Sequence, residues 1–180
     1  SLFAWNVIMA RAAEELVRAR TQAVEEINNS ISDIYGSIAD KKHNIAMEYK
    51  TQVMSDNYMN ALVRRLEHSA AVDIERGFTS VGPHRDDLAI TINGNSADVS
   101  ASRGEARTIT LALKIIEVEM IKSIRDQAPI LLLDDVFSEL DGIRRKMLTH
   151  FLNDHQAIIT TTDADVVGKK FTSLAQIITF

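Results

Sequence analysis

The chain has 180 residues, 46% hydrophobic and 25% charged, with a formal net charge of −5 and no cysteine. That length buries one sizeable core, or a core with a protruding arm, while no apolar run is long enough to span a bilayer and no signal peptide is expected from the first residues. The absence of cysteine excludes a disulfide framework and thiolate metal sites and fits a reducing cytoplasm; the negative balance excludes a protein that coats nucleic acid with its whole surface, though not a local basic strip.

Residues 1–40 read as one long helix. Apolar residues recur at seven-residue steps through Phe3, Ala10, Val17, Val24, Ile31 and Ile38. A second set, Ala13, Ile27 and Ile34, falls three residues after members of the first, with Asn6 and Arg20 interrupting it. This is the a/d pattern of a coiled-coil seam; a helix packed in a local bundle is the preferred reading over a true coiled coil. Trp5 is expected to serve packing rather than base stacking. The run from Asn44 to Gln52 fits an extended connection. From Asp56 the pattern is helical again, with Met59, Leu62, Val63 and Leu66 on one face and Gly77 as a stop. The period then changes to that of a strand: Leu88, Ile90 and Ile92 alternate with Ala89 and Thr91, and Asn93-Gly94 is a two-residue hairpin signal. This change of period divides the chain into a helical arm, residues 1–76, and a core, residues 77–180.

The core alternates. Residues 109–124 are apolar around much of the helix circumference, which predicts a well-buried helix. Ile130 to Leu133 is a continuous apolar run, typical of a strand covered on both faces. A helix from Ile143 to Leu152, a strand from Ala157 to Thr160 and a final strand near Ile177 follow. The order predicts an α/β fold, a mostly parallel sheet with helical crossovers, carrying an N-terminal helical arm.

Two segments carry chemistry. In Ile130-Leu131-Leu132-Leu133-Asp134-Asp135-Val136-Phe137-Ser138-Glu139-Leu140-Asp141, a buried strand ends in two carboxylates. Ligands of open α/β sheets sit beyond the carboxyl ends of the strands, and adjacent carboxylates there repel one another unless a cation or a proton engages one. Asp134 is the candidate ligand of Mg²⁺, and Asp135 the candidate base that deprotonates an attacking water. The plain structural reading is a solvated acidic turn in which Asp141 caps the next helix. In Ala101-Ser102-Arg103-Gly104-Glu105, a hydroxyl and free N–H groups at a helix start offer themselves to an anion. Ser102 and Glu105 also form a capping-box pattern that needs no ligand. Arg144-Arg145-Lys146 and Lys41-Lys42-His43 read as solvated faces rather than DNA contacts. His84 and Arg85 either touch nucleotide or hold the hairpin against the core; the sequence does not choose.

Taken together, the two segments resemble those of an ABC-type ATPase. Ser102-Arg103-Gly104-Glu105 is similar to the signature motif, Leu133-Asp134-Asp135 to Walker B, and Ser138-Glu139-Leu140-Asp141 to the D-loop. Ile159 to Asp163 stands where the switch would be, with Thr162 at its key position. The finer resemblance is to the RecF family of recombination mediators. Gly82-Pro83-His84-Arg85-Asp86-Asp87-Leu88 and Leu131 through Asp141, continued by Arg145 and Leu148, are similar to RecF stretches almost letter for letter, and the close resemblance covers roughly Gly77 to Asp163. It implies ATP and Mg²⁺, a homodimer when ATP is bound, DNA with single-strand/double-strand junctions as a partner, and mediator proteins such as RecR. It also implies that Ser102, Arg103, Gly104 and Glu105 contact nucleotide held by the other subunit.

Four residues depart from the motifs. Arg103 stands where Gly is usual and Glu105 where Gln is usual. Asp135 replaces the Glu of most ABC ATPases, which suits a slow switch, and Thr162 replaces a common His. No G-x-x-x-x-G-K-[ST] occurs: Gly168-Lys169 has Asp163 where the first Gly would be and Lys170 where the hydroxyl would be. The expectation is therefore the C-terminal half of a slow DNA-dependent ATPase, inactive by itself. The alternative is a non-catalytic dimerisation module. A phosphoacceptor receiver domain is rejected because too few residues follow Asp135 to supply its remaining strands.

Overall fold

The computed structural model describes residues 2–39 and 41–162, together with residues 176 and 178. The expected strand near Ile177, Asp163 and the stretch Gly168 to Lys170 lie outside the described residues. The chain divides into two compact units, one formed by Ser1–Ser30 with Asn44–Ala101, the other by Ile31–His43 with Ser102–Phe180.

In the first unit, helix α1 (Leu2–Asn28) packs on helix α3 (Tyr58–Arg76). The core between them joins Ala10 and Ala13 of α1 to Tyr58, Leu62 and Leu66 of α3, with Val53. The alanines let the two backbones approach, and a leucine as buried as Leu62, 0% exposed, stabilises such a contact by about 1.5–3 kcal/mol. Helix α3 starts where the Asn57 side chain accepts from the Asn60 N–H at 3.2 Å. It stops at Gly77, whose left-handed φ of 77° is the conformation glycine tolerates best. Strand β1 (Ile45–Lys50) pairs antiparallel with β2 (Asp87–Ile92), placing Ile45, Met47 and Tyr49 opposite Ile92, Ile90 and Leu88. The hairpin turn Asn93-Gly94 has positive φ at both residues, 51° and 82°, as a tight two-residue turn requires. It leads into the short β3 (Asn95–Ser96) and a single helical turn, α4 (Ala97–Ser100).

The single helix expected over residues 1–40 is two helices: α1 ends at Asn28 and α2 runs Ile31–Ala39. Asn28 explains the break. Its side-chain amide donates to the Met47 carbonyl at 2.8 Å and accepts from the Met47 N–H at 2.8 Å, so it acts as a neighbouring strand would. The chain then turns through Asn29 and Ser30, with the Ser30 N–H bonding back to the Ile27 carbonyl at 3.1 Å.

The second unit packs α2 against α5 (Arg103–Arg125) and α6 (Gly142–Leu152). Its buried residues include Ile31, Tyr35, Ile38, Ile109, Ala112, Ile116, Phe137 and Leu148. Strand β4 (Leu131–Asp134) runs parallel to β5 (Ala157–Thr160), with Leu133 opposite Ile159 and Asp134 opposite Thr160. Helix α6 lies between them in sequence, the crossover that a parallel pair demands. Helix α5 is buried only as far as Ile116; Ile121 and Ile124 are exposed. Strand β4 is likewise not covered on both faces among the described residues, because Leu132 and its register partner Ile158 are exposed.

These arrangements overturn the expected fold class. Among the described residues the chain is mostly helical, 61% helix against 14% strand, with two small sheets in place of a sheet-dominated α/β head. Three strands form an antiparallel sheet in the first unit, and among the described residues the parallel pairing is confined to β4 and β5. The reason is local. The Asn93-Gly94 turn folds the chain back on itself, and β2, which precedes it, pairs antiparallel with β1 at its other edge. Among the described residues no helix is long and apolar enough to cross a membrane.

Candidate functional site

At the carboxyl end of β4 the strand pairing places Asp134 beside Thr160, whose hydroxyl donates to Asp134 Oδ1 at 2.5 Å. The next residue, Asp135, leaves the strand with φ 48°, a left-handed conformation that Asp adopts more readily than bulkier residues. Its N–H donates to the Thr160 carbonyl at 3.0 Å, which fastens the turn to the end of β5. The Ser138 hydroxyl reaches back to the Asp135 carbonyl at 2.8 Å and to Asp135 Oδ2 at 3.0 Å. Asp135 Oδ1 is different: it is buried and, among the described residues, has no hydrogen-bond partner. Phe137, 1% exposed, anchors the turn in the core.

The start of α5 is a full capping box. Ser102 Oγ accepts from the Glu105 N–H at 3.3 Å, and Glu105 Oε2 accepts from the Ser102 N–H at 2.8 Å. The bond with Ser102, aided by His43 and Lys41, holds the Glu105 carboxyl below its ordinary value. His43 Nε2 stands 4.0 Å from Glu105 Oε1, and its ring meets Tyr35 edge-on at 5.6 Å. Burial, with Glu105 second, pushes the Tyr35 phenol up. At the start of α6, Asp141 caps the helix by accepting from the Arg144 N–H at 3.0 Å. That bond is the first cause of the lowering of the Asp141 carboxyl below its ordinary value.

All the predicted site residues within the described stretch that have side chains described belong to the second unit. Contacts join Asp134 to Thr160, Asp135 to Ser138, and, through Arg144, Gly104 to Asp141. Arg103 and Thr162 are exposed. Two contributors escaped the sequence. Thr160 falls in the expected switch segment, where Thr162 is the residue singled out, and its register opposite Asp134 is what gives it a contact there. Arg144 was expected on a solvated face, yet its side chain is 17% exposed and bonded on both sides. No local signal marks a bond to a residue forty positions away.

His84 and Arg85 hold their own loop. His84 Nε2 lies 3.0 Å from the Thr79 carbonyl, and the Arg85 guanidinium stands 5.0 Å over the Phe78 ring. Asp86 accepts from Tyr49 at 2.5 Å, and Arg20 donates to the Pro83 carbonyl at 2.7 Å. Trp5, expected to pack, is 70% exposed.

Among the described residues no group of three or more His, Cys, Asp or Glu is placed to hold a metal ion. Mg²⁺ in nucleotide sites commonly takes one or two carboxylates, with phosphate and water completing its shell. Asp134 supplies such hard oxygen, and Oδ1 of Asp135, without a hydrogen-bond partner among the described residues, is a further acceptor beside it. The residues fit the group.

No protein-family model matches the chain. Among curated proteins it is similar to the DNA replication and repair protein RecF of Clostridium perfringens, 33% identical over 159 residues, covering 88% of this chain and 44% of that protein. RecF of Clostridium botulinum is 36% identical over the same shares. RecF of Lactobacillus delbrueckii subsp. bulgaricus is 34% identical over 170 residues, 90% of this chain and 45% of that protein. Among solved structures, the recombination mediator protein RecF-ATP in the RecFOR pathway superposes with a TM-score of 0.77 at 31% identity, over 91% of this chain and 45% of that one. The chain thus spans a little under half the length of the relatives it matches.

Proposed function

Starting from the chain's homology to the RecF family, 33–36% identical over most of its length, we propose that it supplies the C-terminal half of an ATP-binding site in a recombination and repair protein. The observation that carries this reading is the end of β4, where two carboxylates stand together and the buried Oδ1 of Asp135 has no partner among the described residues. A lone buried acceptor costs about 1–3 kcal/mol or more, a cost that a bound water would relieve. Asp134, steadied by the Thr160 hydroxyl, would hold Mg²⁺, which offsets phosphate charge when bound. Asp135 orients a water through Oδ1 and takes its proton as that water attacks the terminal phosphate. Ser138 fixes the other carboxylate oxygen, so the base has one orientation.

Ser102 through Glu105 would meet the nucleotide of a second copy. The Ser102 hydroxyl accepts the Glu105 N–H in the capping box and keeps its own proton to donate. ATP then joins two copies, and the pair is retained on DNA gaps and junctions, with RecR-type mediators as further partners. The phosphate-binding loop comes from the remainder of the protein.

Ser102→Asp in the full-length protein tests this. Asp caps a helix as well as Ser does, so the melting temperature and ATP binding by the monomer stay near parental values. A carboxylate against phosphate in a closed site abolishes ATP-dependent dimerisation, read by sedimentation with and without nucleotide. A variant that dimerises normally removes Ser102 from the site and leaves the carboxylates at the end of β4 as the remaining support for it.

A further inference from the structure

We propose that Arg144 is a positioning residue that ties Ser102–Glu105 to the turn ending at Asp141, and that this tie sets how strongly ATP pairs two copies of the protein. The inference rests on the ATP-site reading above and adds to it a residue that touches no nucleotide. The geometry is a three-way fork. Arg144 Nε donates to Thr108 Oγ1 at 2.7 Å and Nη2 donates to the Gly104 carbonyl at 3.0 Å. Nη1 donates to Asp141 Oδ2, while the backbone N–H of Arg144 donates to Oδ1 of the same carboxylate. On the α5 side the arrangement closes on itself, because Thr108, 0% exposed, also donates to the Gly104 carbonyl at 2.8 Å.

A Cβ at Gly104 would stand 3.4 Å from Arg144 Nη2, an ordinary van der Waals contact, so the tie runs through the Gly104 carbonyl and does not itself demand glycine.

Helix stability does not account for this placement. Arg144 sits in the first turn of α6 and bonds to the first turn of α5, where the helix dipole disfavours a cation. Its partner Asp141 is 53% exposed, and an ion pair that open contributes little. The fork does something else: it makes the start of α5 and the turn after β4 move as one body. A change at Asp135, transmitted through Ser138 and the turn, then reaches Ser102 with few intervening degrees of freedom. Only a planar group with several donors does this. A lysine keeps the charge but has one nitrogen, and cannot serve the Gly104 carbonyl and Asp141 in the same geometry.

The test uses the full-length protein with Arg144→Lys and, separately, Thr108→Val, which removes one of the two bonds on the α5 side and leaves the Asp141 side intact. Each variant should weaken ATP-dependent dimerisation about tenfold, within the usual range of coupling between sites, while ATP affinity of the monomer changes by less than about twofold. Combining the two should cost little more than either alone, because both break one tie. A purely structural role would instead lower monomer ATP binding and dimerisation together. Arg144→Lys dimerising at the parental nucleotide concentration, or losing both properties in proportion, overturns the inference. A parental protein that fails to dimerise with ATP overturns the site reading itself, and the tie with it.

Discussion

Asp135→Asn should make the protein more stable and less active at once. Three features of the turn set the sign of the stability change. Asp135 Oδ1 is buried without a partner among the described residues, Asp134 is the adjacent carboxylate, and φ at Asp135 is 48°, a region in which Asn is at ease. The substitution removes one of two adjacent carboxylate groups, while its amide oxygen still accepts from Ser138 Oγ, now 3.0 Å from Oδ2. Against these stands one amide N–H₂ left without an acceptor, costing about 1 kcal/mol of the gain. The balance is a stabilisation on the order of 1 kcal/mol, or roughly 2–4 °C in melting temperature for a chain of this size. Calorimetry on this chain measures it. In the full-length protein the same change removes the proton acceptor, and hydrolysis should fall by about 10²–10⁴-fold with ATP binding retained. A melting temperature several degrees below parental would show that Asp135 is held by contacts that stabilise the charge, and the argument from the lone oxygen would fail. Parental hydrolysis would remove Asp135 as the base.

Asn28→Ala strips both partners from the Met47 backbone, which is part-buried, and should cost about 1–3 kcal/mol. A lowered urea midpoint with an unchanged slope is the expected result, and an unmoved midpoint would refute the strand-like role of the Asn28 amide. The carboxyls of Glu105 and Asp141 are held below their ordinary values of 4.5 and 3.8 in the folded chain. Their stabilising contribution is therefore present above those values and is lost as pH falls through the lowered ones. Circular dichroism over about pH 6 to 2 should show helix loss that Glu105→Gln makes shallower; superimposable profiles would deny Glu105 that part.

Much of the local structure, and the family, is legible in the residues themselves. The stop at Gly77, the turn at Asn93-Gly94, the capping box at Ser102 and the extent of β5 follow from backbone preferences and hydrogen-bond chemistry within a few positions, and so do not depend on what packs nearby. The paired carboxylates at the end of β4 were readable for the same reason. Partnership was not. Hydrophobic periodicity says which face of a strand is buried and is silent about which strand lies beside it, so a single parallel sheet was as consistent with the pattern as the two small sheets observed. The seven-residue repeat likewise runs on past Asn28, where a side-chain amide bonded to Met47 ends the helix. Arg144 reads as one cation in a basic triplet. Its role exists only because packing brings Gly104 and Thr108 of α5 beside the first turn of α6, and a bond between residues so far apart in sequence leaves no trace until the chain has folded.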